Sequence, residues 1–268
     1  MRMRDINPMR YLDRFRRNAD INGRPREIDT AQPTPHDHLL RDIMALPESW
    51  HGAGVCGASP LRAMAIHAPS QVLHSAETGC GKSTLLLSHL SQHHTVFSID
   101  DSGQSNSLTT VRESPLLKPE AVEFVTGPAQ QTLPRHTFAN RLQLVLIDGP
   151  HGYPFPELEY YFFYQHLDAG ALLVLDDIPI PTIHRLFSFL REESMFDFMG
   201  VSYTTAFFRR NSSPLFDPTG DGWWSQRYNQ KRYPSSTFEQ DIIRPDAPCS
   251  PEFEQLMRHF GHWPLHHP

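Results

Sequence analysis

The stretch Glu77-Thr78-Gly79-Cys80-Gly81-Lys82-Ser83-Thr84 decides the fold of this 268-residue chain. The run Val72–Ala76 in front of it predicts a buried strand, and Ser83 stands where a helix is expected to begin. Glycines between a strand and a helix let the backbone approach a ligand, and the free amides of a helix N-terminus attract anionic groups. The stretch is therefore a candidate binding turn. A tight turn that binds nothing is the alternative.

Strand-like runs recur along the chain. Their starts lie 20 to 29 residues apart, at Val72–Ala76, Thr95–Ile99, Val122–Thr126, Leu142–Ile147 and Ala171–Leu175. Helical patterns follow the last two, at Glu157–Leu167 and Pro181–Glu193. This alternation predicts an α/β fold with a doubly wound, mostly parallel sheet. Val201–Thr204 and Ala206–Phe208 have no helix between them, so they predict an antiparallel edge and bring the number of strands to seven.

The chain divides into three parts by composition. Residues 1–70 read as an N-terminal arm, loosely packed as far as residue 33, followed by helices that start near Thr34 and Ser59. Residues 71–210 form the α/β domain. Residues 211–268 are rich in proline and aromatic residues, among them Trp223, Trp224 and Tyr228. We expect this extension to pack on the domain, and a lid over the site is the alternative.

Charge and cysteine content exclude several classes of protein. The net charge is −6 and only 20% of residues are charged, so no basic field would attract nucleic acid. Three widely spaced cysteines argue against a disulfide scaffold and fit a reducing cytoplasm. No run approaches the roughly 20 apolar residues that span a bilayer. The sequence leaves the oligomeric state open, a homo-oligomer included.

The glycine turn also fits a loose P-loop pattern over Ala76–Ser83. In an ATPase or kinase of that type, Lys82 would reach the terminal phosphate and Ser83 would hold Mg²⁺, with Asp148 or Asp176 as the acidic partner.

Three features favour a different ligand. Glu77 would repel a triphosphate but attract a cation. Asp100 and Asp101 follow the second strand, where a carboxylate can accept ribose hydroxyls. The loop Gly127-Pro128-Ala129-Gln130 follows the third strand and suits a path beside an adenine.

On these residues the chain resembles class I S-adenosylmethionine-dependent methyltransferases, which have a Rossmann-like fold. Their first motif stands here as Glu77-Thr78-Gly79-Cys80-Gly81-Lys82-Ser83, and Asp100 or Asp101 matches their second acidic position. The resemblance implies S-adenosylmethionine as cofactor. It also implies a set of cofactor-binding residues, namely Glu77, Thr78, Gly79, Gly81, Ser83, Asp100, Asp101, Gly127, Pro128, Ala129, Gln130 and Asp148. Lys82 would then be a solvent-facing residue of the first helical turn.

Acidic residues also follow the fourth and fifth strands. The segment Ile147-Asp148-Gly149-Pro150-His151-Gly152-Tyr153 and the pair Asp176-Asp177 should meet at the same edge of the sheet as the glycine turn. Because clustered carboxylates repel one another, a hard cation such as Mg²⁺ or Ca²⁺ would suit them. The pattern resembles small-molecule O-methyltransferases, some of them metal-dependent, which implies Asp148, Asp176 and Asp177 as metal ligands.

The implied reaction is attack of an acceptor hydroxyl on the sulfonium methyl group, with Asp148 and His151 as catalytic residues. Alternatives stay open for each residue. Asp148 could orient the methionine amino group or the acceptor without a metal. His151 could be structural, and Asp176-Asp177 could cap the helix that follows. The acceptor itself carries no signature in this sequence.

Overall fold

The structure is a computed structural model that describes residues 26–47, 50, 56–101, 106–216 and 222–232. Within these ranges the strands are β1 (His74–Thr78), β2 (His93–Ser98), β3 (Val122–Thr126), β4 (Leu142–Ile147), β5 (Leu167–Leu175), β6 (Phe196–Ser202) and β7 (Thr205–Arg210). They form a single sheet in the order β3-β2-β1-β4-β5-β7-β6.

The strands run as predicted. β1 to β5 are parallel to one another, and β7 is antiparallel to both β5 and β6. The predicted mostly parallel sheet with an antiparallel edge is therefore confirmed. Since parallel strands finish on the same side, β1, β2, β3, β4 and β5 present their last residues along one edge, which we call the carboxyl edge.

Helices cover both faces of the sheet. Those that precede Gly222 are α1 (Asp37–Ala45), α2 (Ala58–His67), α3 (Lys82–Leu90), α4 (Ser107–Arg112), α5 (Ala129–Thr132), α6 (Phe155–Tyr164) and α7 (Pro181–Glu192). A further helix, α8 (Arg227–Arg232), follows Gly222 in the sequence. The helix predicted after Thr34 begins at Asp37, because Thr34 forms a turn in which its carbonyl accepts the Asp37 amide.

Two apolar clusters bury the faces of the sheet, and β4 contributes to both. Val145 and Ile147 pack with Phe163 and Phe187 of α6 and α7 on one face. Leu144 and Leu146 pack on the other face, with Leu61, Met64 and Leu85 to Leu87 of α2 and α3. This alternation follows the two-residue period of a strand, and it explains why β4 is apolar throughout.

Several element boundaries differ from the prediction, among them the bounds of β1 and the end of α6. β1 begins at His74 and runs on through Glu77 and Thr78, because both polar side chains are fully buried and have partners inside the protein. The helix predicted to reach Leu167 ends at Tyr164. Leu167 instead opens β5, where it pairs with Leu142 and gives the strand nine residues.

The last part of the predicted loose arm is paired with the sheet. The amides and carbonyls of Arg26, Ile28 and Val201 exchange hydrogen bonds of 2.9 Å, and Ile28 is buried. The prediction of a loosely packed arm is therefore wrong for residues 26–28. Gly200 makes this pairing possible, because its φ is +148° and a Cβ there would lie 2.5 Å from the Arg26 carbonyl oxygen. Residues 1–25 lie outside the described part.

Gly222 ends one compact unit and Trp223 begins another. Of the predicted extension the structure describes only residues 211–216 and 222–232, so its role stays a prediction. None of the helices in the described ranges combines the length and apolar character needed to cross a bilayer.

Candidate functional site

The glycine turn lies directly against the end of β4. The Gly79 amide donates to the Phe97 carbonyl over 3.0 Å, and Gly79 has a φ of +91°. A Cβ on Gly79 would lie 2.5 Å from the backbone oxygen of Asp148. Only glycine fits a position with both constraints, so this residue joins the turn to the segment that carries Asp148.

Glu77 lies beneath the turn and is fully buried. One carboxylate oxygen accepts the Ser83 hydroxyl over 2.7 Å, and the other accepts the Thr84 hydroxyl and, over 3.2 Å, Nε2 of His94. The Gly81 amide in turn donates to the Thr84 hydroxyl over 3.0 Å. The predicted ligand-binding carboxylate therefore holds the first turn of α3.

Lys82 differs from both of its predicted roles. Its side chain is buried, with 3% exposure, and Nζ donates to the Leu46 carbonyl over 2.9 Å. That carbonyl follows the C-terminus of α1, where the helix dipole favours a cation. The expectation of a solvent-facing residue is wrong. The P-loop alternative loses support, because it requires Nζ to face a phosphate held by the turn.

The end of β2 separates its two aspartates. Both carboxylate oxygens of Asp101 accept amides at the start of α4, from Leu108 over 2.9 Å and from Thr109 over 2.8 Å. Asp100 is exposed on the carboxyl edge. Asp101 therefore orders α4, whereas Asp100 is open to solvent.

The loop after β3 lies next to the end of β2. The Gly127 amide donates to the Ser98 carbonyl over 2.8 Å, and Gly127 has a φ of +132°. Pro128 precedes α5, in which Ala129 is buried and Gln130 is exposed. Gly127 and Pro128 help to line a concavity of about 330 Å³.

Asp148, His151 and Asp177 meet at the carboxyl edge. Nε2 of His151 lies 3.3 Å from Oδ2 of Asp177 and 4.0 Å from Oδ1 of Asp148. One ligand atom from each residue falls within 4.8 Å of the other two. Asp177 has a φ of +52°, a conformation that L-residues adopt at a cost of order 1–3 kcal/mol. The side chains remain 29 to 44% exposed, so solutes can reach them.

The charges of this group perturb one another. Burial raises the pKa of Asp148, and the neighbouring Asp176 and Asp177 carboxylates raise it further against the lowering effect of His151. Burial and Asp176 likewise raise the pKa of Asp177. The neighbouring Asp148 and Asp177 carboxylates raise the pKa of His151 against the lowering effect of burial. A cation, either the imidazolium or a metal ion, would offset this repulsion.

Asp176 has partners on the neighbouring β6–β7 turn. Its Oδ1 accepts the hydroxyls of Thr205 over 2.7 Å and Thr204 over 3.2 Å, and the Asp177 amide over 2.9 Å. The structure therefore brings Asp148 and Asp177 together with His151, and it engages Asp176 elsewhere. No side chain caps α7, whose N-cap residue is Ile180, so the capping alternative is not seen in the described chain.

Glu159 of α6 is a site residue that the sequence did not predict. Its Oε2 accepts the Thr78 hydroxyl over 2.8 Å, and the same hydroxyl accepts the Asp148 amide over 3.2 Å. Glu159 is 2% exposed, and burial raises its pKa to about 8. A Cβ on Gly149 would overlap its carboxylate. The burial of Glu159 could have been predicted, because Glu159 lies one helical turn before the buried Phe163 and so on the same face of α6.

His94 was also missed. It is the second residue of β2 and is fully buried, with its two ring nitrogens bonded to Ser75 and Glu77. The sequence offered little signal for it, because sixteen histidines are spread over the chain.

Comparison with known sequence families gives a match for part of the chain. Residues 76–178 match the sequence family described as "Methyltransferase domain". No curated protein matches the chain by sequence.

Among solved structures, a Klebsiella pneumoniae protein described as an O-methyltransferase has a TM-score of 0.52 and 15% identity, over 66% of this chain and 92% of that one. The O-methyltransferase TomG of Streptomyces achromogenes, involved in tomaymycin synthesis, has a TM-score of 0.50 and 13% identity, over 68% of this chain and 94% of that one. A Staphylococcus aureus protein described as a caffeoyl-CoA O-methyltransferase has a TM-score of 0.50 and 11% identity, over 77% of this chain and 100% of that one. At such identities these similarities show a shared fold.

Proposed function

Because residues 76–178 carry a methyltransferase domain, we propose that this protein transfers the methyl group of S-adenosylmethionine to a hydroxyl group of a small molecule. One observation carries the proposal. The glycine turn, Asp100 and the group Asp148, His151 and Asp177 share one edge of the sheet, so cofactor and acceptor sites would adjoin.

The cofactor would lie along the carboxyl edge. The amides at the start of α3 would hold its carboxylate, and Asp100 would accept the ribose hydroxyls. The loop Gly127–Gln130 would pass beside the adenine. Glu77 would attract the cationic part of the cofactor through its charge and not through a hydrogen bond. Its carboxylate already accepts hydrogen bonds from Ser83, Thr84 and His94.

The chemistry would be an in-line displacement. The acceptor oxygen forms a bond with the methyl carbon while the carbon–sulfur bond breaks, which gives a methyl ether and S-adenosylhomocysteine. His151 would take the hydroxyl proton, because its ring is 44% exposed and lies beside two carboxylates. Asp148 and Asp177 would orient the ring and stabilise the imidazolium that forms.

The same three side chains suit a divalent cation. Two carboxylates and an imidazole match the ligands that Mg²⁺, Mn²⁺ and related ions accept, and water can reach the site. A bound ion would lower the pKa of the acceptor hydroxyl. The metal-free alternative keeps Asp148 as the residue that orients the methionine amino group or the acceptor.

We place the protein in the cytoplasm. Cys56 and Cys80 are both free thiols, which fits a reducing compartment.

Calorimetry of the purified protein with S-adenosylhomocysteine, and separately with Mg-ATP, tests the proposal. We expect micromolar binding of the thioether and none of ATP. Binding of ATP without binding of the thioether would overturn the proposal. A panel of phenols and sugars, assayed for release of S-adenosylhomocysteine from S-adenosylmethionine, would then identify the acceptor class.

A further inference from the structure

A chain of buried polar side chains lies beneath the glycine turn, and no step of the proposed reaction uses it. Ser91 and Ser75 share a hydrogen bond of 2.5 Å between their hydroxyl oxygens, and Ser75 Oγ lies 2.7 Å from Nδ1 of His94. Nε2 of His94 lies 3.2 Å from Oε1 of Glu77. Ser75, Glu77 and His94 are fully buried, and Ser91 is 4% exposed.

The direction of these bonds follows from Glu77. A carboxylate can only accept hydrogen bonds, so Nε2 of His94 must carry the proton that it donates. The Ser75 hydroxyl then donates to Nδ1 of His94, and the Ser91 hydroxyl donates to the Ser75 oxygen. In this arrangement every proton of this hydrogen-bond chain has an acceptor. The two serines therefore fix the plane of the imidazole and aim Nε2 at Glu77.

Glu77 connects these hydrogen bonds to the candidate cofactor turn. It accepts the hydroxyls of Ser83 and Thr84, which belong to the first turn of α3, and Thr84 also accepts the Gly81 amide. If His94 lost its donor, the buried Glu77 carboxylate would have to shift towards its remaining donors or admit water. Either change would move the amides that face the cofactor.

We propose that His94 is a positioning residue for the cofactor site: through Glu77 it holds the Gly81–Thr84 turn in its binding geometry. The proposal rests on the proposed function, because it concerns affinity for S-adenosylmethionine and its thioether product. His94 would touch neither the cofactor nor the acceptor.

Substitutions of His94 test this, with His74 as the matched control. His74 lies on the neighbouring strand β1, is 1% exposed and bonds a buried hydroxyl, that of Thr95, over 2.8 Å. Its hydrogen bond does not involve Glu77. His74→Leu thus removes a comparable buried interaction but leaves the network beneath the turn intact.

Affinity for S-adenosylhomocysteine, measured by calorimetry, is the first readout. We expect His94→Leu to raise Kd at least tenfold, which is about 1.4 kcal/mol. His94→Gln should stay within about threefold of the wild type, because its amide can donate to Glu77. His74→Leu should stay within about twofold even where it lowers Tm by as much as His94→Leu does.

Hydrogen exchange of the amides from Gly81 to Thr84 is the second readout, and it needs no ligand. Faster exchange in His94→Leu than in His74→Leu supports the proposal, and equal exchange or equal Kd overturns it. Failure of the wild type to bind the thioether would overturn the proposed function, and the exchange rates alone would then decide the role of His94. If His94→Leu does not fold, Ser75→Ala replaces it, with a threefold rise in Kd expected and an unchanged Kd as the contrary result.

Discussion

The Asp148 carbonyl occupies the space beside Gly79 in which any other residue would place its Cβ, 2.5 Å from that oxygen. The contact joins the turn after β1 to the loop after β4, and with them the candidate cofactor and acceptor sites. It involves backbone atoms on both sides, so rotation of a side chain cannot relieve it.

Gly79→Ala should therefore damage stability and binding together. The positive φ alone costs about 1–2 kcal/mol for a residue with a Cβ, and the clash adds to it. We expect Tm to fall by about 5 °C or more and the Kd for S-adenosylhomocysteine to rise at least tenfold. Gly152→Ala is the control, because nothing lies within 4 Å of a Cβ at that position. A Gly79→Ala protein that matches this control would contradict the role given to the contact.

Glu159→Gln should stabilise the protein at alkaline pH. Burial raises the pKa of Glu159 from 4.5 to about 8, so the folded state holds a proton that the unfolded state releases. Wild-type stability should thus fall as pH rises from 4.5 to 8, while the uncharged glutamine is unaffected. Urea unfolding should show the variant gaining on the order of 2 kcal/mol over the wild type between pH 5 and pH 8. Parallel pH curves would show that Glu159 is ionised without penalty.

His74→Phe should reduce acid lability. Burial lowers the pKa of His74 from 6.5 to about 4, so the unfolded state binds a proton that the folded state does not. Wild-type stability is complete above pH 6.5 and is lost as pH falls towards 4. The phenyl ring can keep the edge contacts with His93 and Phe138. We expect unfolding free energies to show the wild type losing about 1–3 kcal/mol more than the variant between pH 7 and pH 4.5, and equal losses would contradict the assignment.

Asp177→Asn and Asp176→Asn should distinguish two candidate sets of metal ligands. The structure groups Asp148, His151 and Asp177, whereas the sequence predicted Asp148, Asp176 and Asp177. Asp177 lies 3.3 Å from His151, whereas Asp176 is bonded to the β6–β7 turn. In titrations with Mn²⁺ we expect Asp177→Asn to weaken binding at least tenfold and Asp176→Asn to stay within about threefold. A loss of tenfold or more in Asp176→Asn as well would restore the set predicted from the sequence, Asp148, Asp176 and Asp177. A wild type that binds neither Mn²⁺ nor Mg²⁺ would favour the metal-free role of Asp148.

The sequence predicted those parts of the molecule that local pattern determines. Apolar runs and glycines located the parallel strands and the turn at Gly79, because burial on both faces leaves a strand no polar alternation. Asp148 and His151 could be placed at the carboxyl edge, because parallel strands end on the same side of the sheet. The antiparallel edge followed from the missing helix between the last two runs.

The errors concern side chains whose environment comes from distant parts of the chain. Lys82 is buried because the end of α1, 36 residues earlier, supplies a carbonyl. Asp176 and Asp177 are neighbours with different surroundings, because Asp176 accepts the Thr205 hydroxyl of β7 and Asp177 lies beside His151. Glu159 pairs with Thr78, 81 residues away, and no local pattern predicts such a contact.

The pairing of residues 26–28 with β6 covers part of the edge of the sheet. An uncovered edge strand offers a row of amides and carbonyls to any other chain, and natural proteins block such edges to avoid aggregation. Here Ile28 and its neighbours supply that block at Val201, and Gly200 lets them approach. Trimming the chain past residue 30 would uncover this part of the edge, and we expect the shortened protein to self-associate more readily.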